Sequence, residues 1–377
     1  MQGGRCRGDR AGLLGGDTLP VVTAAETPEP PRQIPFEIAL GLQLGLGPVA
    51  TGFLVAGFLS AGALLFHWAA ASGAIALEEF APLGFATRAA LIASLATGYV
   101  FFATRFGAIG GYEDVQALGL APPGEPESDE MYLAPADVAV RSRGSGFLGV
   151  LFFLFILELP NWLADVGFFG AWRSFHVLAY LQGVGLLFFF VAGRAAYLSL
   201  RGMRGLAALA DGEIGIDLLD LAPLAVFGRA AVRNCLLWLV SFSLGSLVFL
   251  NPELAFLDSL SVFVPVFLVS LTIAGLALWL PLRSVHARVS AKKSEELARV
   301  DAALRGDAGA LEGSRIEHWA ANARLADLLS YRRYLADIRT WPFEGPTLAR
   351  VALFVLIPVG SWVGGALVER VVETLLR

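Results

Sequence analysis

Charge is absent from five long stretches of this chain. Residues 38–77, 174–193, 234–252, 259–282 and 351–368 contain no Asp, Glu, Lys or Arg. A helix needs about 20 apolar residues to cross a bilayer core, and these stretches meet or approach that length. Two weaker stretches join them. Residues 89–104 are bracketed by Arg88 and Arg105, long side chains that can snorkel to the two interfaces. Residues 144–164 qualify if Glu158 sits near one end. The pattern predicts an all-α integral membrane protein with a seven-helix transmembrane bundle.

After residue 282 the pattern turns amphipathic. Leu282, Val285, Val289, Leu297, Val300 and Leu304 fall mainly at three- and four-residue steps, and Leu325, Leu328, Leu335 and Ile338 form a second series. Gly306-Asp307-Ala308-Gly309 breaks the chain between them. This predicts an antiparallel helical hairpin over 283–346, between spans six and seven, closed by Pro342 and Pro346. The division that follows is a disordered tail over 1–35 and a six-span bundle over 36–282, with linkers at 106–143 and 200–230. The hairpin comes next, then a seventh span with an outer C-terminus over 347–377. Residues 36–47 read either as an interfacial helix or as an extension of the first span. The fourth span is expected to run on as helix through 198–210. Asp217, Asp220 and Pro223 then mark a connector.

The basic residues orient this topology. With the N-terminus in the cytoplasm, 24 of the 28 Lys and Arg lie inside, and only Arg88, Arg173, Arg370 and Arg377 lie outside. Omitting either weak span would scramble that alternation. Trp68, Trp162 and Trp172 fall at outer ends and Trp279 and Trp341 at inner ends, as an aromatic belt requires. All the basic residues but Lys292 and Lys293 are Arg, a GC-rich coding bias that points to a bacterial inner membrane. No cleavable signal peptide is expected, because the first 35 residues lack a long apolar core. Cys6 and Cys235 make no disulfide framework.

Candidate chemistry is sparse. His67, Glu158 and His176 are expected at outer helix ends, where they are either separately solvated at the interface or form a pH- or ion-responsive polar cluster. No helical His-x-x-x-His or Glu-x-x-His spacing supports a metal centre, and no cofactor is implied. Phosphate-loop, nucleophile-elbow and zinc-protease motifs are absent, so the chain does not read as an enzyme. Gly360, Ser361, Gly364 and Gly365 offer a close helix-packing seam in the last span. From Arg288 to Glu344 the hairpin nearly balances its charges, ten basic against nine acidic, which excludes a nucleic-acid surface. Besides the lipid bilayer, the expected partner is a second copy or a cytoplasmic protein, engaged through 283–346. The function expected is regulation or scaffolding through that hairpin; the alternative is a transporter or channel for a small solute or ion.

Overall fold

The computed structural model of the chain is all-helical. It describes residues 33–71, 85–120, 136–158, 177–212, 216–247, 256–307, 309–314, 316–317, 324–338, 340–341, 352–353, 356 and 360. The helices are α1 Phe36–Gln43, α2 Pro48–Ala71, α3 Phe85–Ala117, α4 Ala136–Phe153, α5 Val177–Gly212, α6 Ala225–Ser246, α7 Phe256–Leu304 and α8 Leu325–Asp337. Six of them, α2 to α7, are long and apolar enough to cross a membrane. Both weak stretches are helical as far as they are described: α3 has 33 residues, and the 18 of α4 continue into a π-helical turn at Leu154–Glu158. The expected seventh span lies almost wholly outside the described residues.

Residues 36–47 are not an extension of the first span. Gly45 adopts a left-handed φ of 63°, and Leu46 N–H reaches back to Gly41 O while Gly45 N–H reaches Leu42 O. This is the glycine-terminated helix end that suits a residue without Cβ. It makes α1 a separate helix. Pro48 then opens α2, where its missing N–H costs nothing and its fixed φ is already helical.

Small residues set the packing. α3 touches α2, α5 and α6; α5 touches α3, α4 and α7; α6 packs on α7. At the α2–α3 crossing Gly52 and Gly98 face one another, and a Cβ on Gly52 would stand 2.9 Å from the Gly98 carbonyl oxygen. At the α4–α5 crossing Gly149 abuts the Phe189 carbonyl, and the Ser145 hydroxyl donates to Gly193 O at 2.7 Å. Backbones approach this closely only where side chains are missing, and in a bilayer such contact drives helix association.

Beyond the bundle, α5 and α7 run on as unbroken helix and share a core with the 216–224 connector and α8. Met203, Leu206 and Ala210 from α5 meet Leu218 and Leu224, then Val285, Val289 and Val300 of α7, and Leu335 of α8. The chain leaves α7 through Gly306 at φ 97°. Leu311 and Ile316 of the following turns also enter the core. α8 starts with Asp327 accepting the Arg324 N–H at 3.0 Å. It runs back along α7: Lys293 donates to Ile338 O, Tyr331 to Glu296 and Arg332 to Asp301. The two arms therefore do not cover their seams alone; α5 and the connector supply a third wall. Leu325, expected in the seam, is exposed, because it is the first residue of α8 and the chain is only then turning onto the core.

Candidate functional site

The buried charges of the bundle gather where its uncharged runs meet their first arginines. α1 folds under the bundle and brings Glu37, fully buried, to Arg194 on α5. Arg194 Nε donates to Glu37 Oε1 at 2.5 Å and Nη2 to Oε2 at 3.1 Å, a two-pronged bond that fixes both planes. The guanidinium also lies 5.0 Å from the Phe36 ring centre and 5.8 Å from that of Phe190. Neutralising each other and stacking on rings offsets the large desolvation of two interior charges. Arg105 on α3 donates to Leu46 O, so the turn after α1 is held from a second side. Gly41 makes room for that guanidinium: a Cβ there would stand 2.6 Å from Arg105 Nη1.

A second pair joins α3 to α6. Arg233 Nη2 donates to Asp114 Oδ2 at 2.6 Å, passing over Gly110, whose Cβ would lie 2.5 Å from the guanidinium carbon. Beside it, Ser199 donates to Asn234 Oδ1 and accepts from Trp238 Nε1, both at 3.3 Å. Arg233 Nε is buried without a hydrogen-bond partner among the described residues. With the Glu37–Arg194 pair, this arrangement ties α1, α3, α5 and α6 together.

The extended module has its own buried carboxylate. Glu296 accepts from the Ser314 hydroxyl and from Tyr331 at 3.1 Å, with Arg299 at 3.6 Å. Burial, then the Glu296 charge, pushes the Tyr331 phenol well above its usual range. Arg332 is held further toward its charged form by its bond to Asp301. His286 stacks on Trp341 with ring centres 4.2 Å apart, and its Nδ1 lies 3.2 Å from Thr340 O. That stack ties the segment after α8 back to α7.

The residues expected to form an outer cluster are only partly visible. His67, half-buried on α2, has its Nδ1 3.2 Å from Thr87 Oγ1 of α3. Glu158 closes the π-helical turn, but its side chain, like His176, lies outside the described residues. Gly360 is exposed, and a Cβ there would meet nothing; Ser361, Gly364 and Gly365 lie outside the described residues. Glu37, Arg194, Asp114 and Arg233 were missed as pairs. The signal was available: Arg194 and Arg233 each stand at the end of an uncharged run, and Glu37 directly precedes another.

Two cavities accompany these groups. One, of about 260 Å³, lies among α4, α5, α6 and α7 and is walled by Phe152, Phe189, Trp238 and Phe242 with the hydroxyl-bearing Ser145 and Ser241. The other, of about 120 Å³, lies between α1 and the α4–α5 pair, against Arg143 and Arg194. No family model, curated protein or solved structure matches the chain.

Proposed function

We propose that the protein is a regulatory or scaffold protein of the bacterial inner membrane. It crosses seven times, with its N-terminus in the cytoplasm and its C-terminus outside, and the α7–α8 hairpin belongs to a cytoplasmic module. The observation that carries this reading is the continuity of α5 and α7. α7 alone has 49 residues, about 74 Å of helix, so one element belongs both to the bundle and to the module. A change in either is mechanically felt by the other, which is what a coupling protein needs. The protein is not read as an enzyme, because its sequence carries no phosphate-loop, nucleophile-elbow or zinc-protease motif.

The module binds either a second copy or a cytoplasmic protein. Leu329 and Ser330 lie on the exposed side of α8, so a photo-crosslinking residue placed at each should trap a neighbour in native membranes. If neither position yields an adduct, the scaffold reading falls. The transporter or channel reading then leads, on the strength of the cavity among α4 to α7. Its aromatic walls would suit an apolar solute better than an ion.

A further inference from the structure

The smaller crevice has a charge left over. Glu37 and Arg194 cancel, and both nitrogens that Arg194 gives to Glu37 lie on one edge of its guanidinium. Among the described residues its Nη1 makes no hydrogen bond, although Arg194 is buried and lines the crevice. Arg143 stands at the mouth. It is exposed, has no carboxylate partner among the described residues, and donates only to Gln33 Oε1 at 3.2 Å. The crevice therefore carries one net positive charge. At about 120 Å³ it admits a single phosphate group, well short of the roughly 300 Å³ at which pockets for drug-sized ligands begin.

The surroundings are those of an amphiphile. Arg143, Phe147 and Leu151 are spaced four apart and share one stripe of α4. Phe147 and Leu151 are both about 60% exposed (62% and 59%), and they lead away from the crevice along the candidate span. Phe36 and Leu198 make the inner wall apolar. A free anion would use the arginines and ignore the stripe. A lipid with a choline or ethanolamine head would bring an ammonium group toward Arg143.

We propose that this crevice binds the phosphodiester of an anionic glycerophospholipid, held by Arg143 and Arg194 Nη1, with an acyl chain along Phe147 and Leu151. The lipid belongs to the leaflet at the arginine-rich end of the bundle, and its binding does not depend on the regulatory role given above. Arg143 supplies the charge-assisted bond, so its loss is expected to weaken binding about tenfold.

Detergent-purified full-length protein would be titrated separately with phosphatidylglycerol, phosphatidylcholine and inorganic phosphate. Bound lipid is read by native mass spectrometry and melting temperature by tryptophan fluorescence. One phosphatidylglycerol is expected to bind and raise the melting temperature. Phosphatidylcholine should bind about tenfold more weakly, and inorganic phosphate at equal concentration should do nothing. Arg143→Ala should lose phosphatidylglycerol about tenfold, whereas Arg201→Ala, an exposed arginine further along α5, should bind it as the parent does. The proposal is overturned by undiminished binding in Arg143→Ala, by an equal loss in Arg201→Ala, or by equal binding of phosphatidylcholine. Protection by inorganic phosphate equal to that by phosphatidylglycerol would make the site one for a free anion and would equally overturn the lipid assignment.

Discussion

Glu37 is fully buried, and its charge is tolerable only because Arg194 meets it with two bonds. Removing one member leaves the other charged and unpaired in the interior, at a cost of about 3–5 kcal/mol. Glu37→Ala is therefore expected to lower the melting temperature in detergent sharply, and Glu37→Ala with Arg194→Met should recover much of the loss. If the double variant is as unstable as the single, the pair is not what holds α1. A second residue gives a pH prediction. Tyr331 is raised above its usual value of 10.0 by burial and then by Glu296. The folded module thus favours the neutral phenol. Its contribution is complete below about pH 10 and fades as the pH climbs toward the raised folded-state value. Tyr331→Phe should flatten the alkaline side of a stability profile followed by fluorescence; an unchanged alkaline limb would remove Tyr331 as its source.

At the scale of elements, glycines divide into two kinds. Gly149 lies against the Phe189 carbonyl, while a Cβ on Gly111 meets nothing. Gly149→Ala should cost about 1–3 kcal/mol through forced separation of α4 and α5. Gly111→Ala in the same helical setting should gain about 0.5–1 kcal/mol. Thermal melts of the two variants test this directly, and a shift of the same sign in both would refute the close-contact seam. Most helices were legible because their cause is local: uncharged length for α2 to α7, the Gly306 cluster for the end of α7, three- and four-residue steps for α8. The ion pairs were not, because their cause is distant. Glu37 and Arg194 are 157 positions apart, and no spacing rule reaches that far. Counting Arg105, Arg194 and Arg233 as markers of orientation also hid them as partners, although an arginine at a helix end serves both purposes. For the module, periodicity revealed two apolar stripes but not the third wall from Met203, Leu206 and Leu218. Those residues lie in segments whose sequence shows only a continuing helix and a turn.

For the whole molecule, the shared core makes one test of how module and bundle are joined. Leu335 is fully buried among residues of α5, α7 and the connector. Leu335→Ala is expected to cost about 2–5 kcal/mol and to speed protease cutting around residues 305–317. Protease cutting around residues 144–150 should stay slow, since the Ser145–Gly193 contact lies in the bundle. Faster cutting at both places would mean that the two parts fold as one unit. The long helix that joins them also holds Pro265 and Pro281 within its length. Pro281 cannot give the backbone N–H that would close a bond to Ala277, and Ala277 is itself fully buried. The rod thus has a soft joint just ahead of Leu282 and Val285, where the module's core begins. The adjoining α5 has no proline at that level and acts as the fixed post. Because Met203, Leu206 and Ala210 of that post sit in the module's own core, α5 opposes bending at the joint.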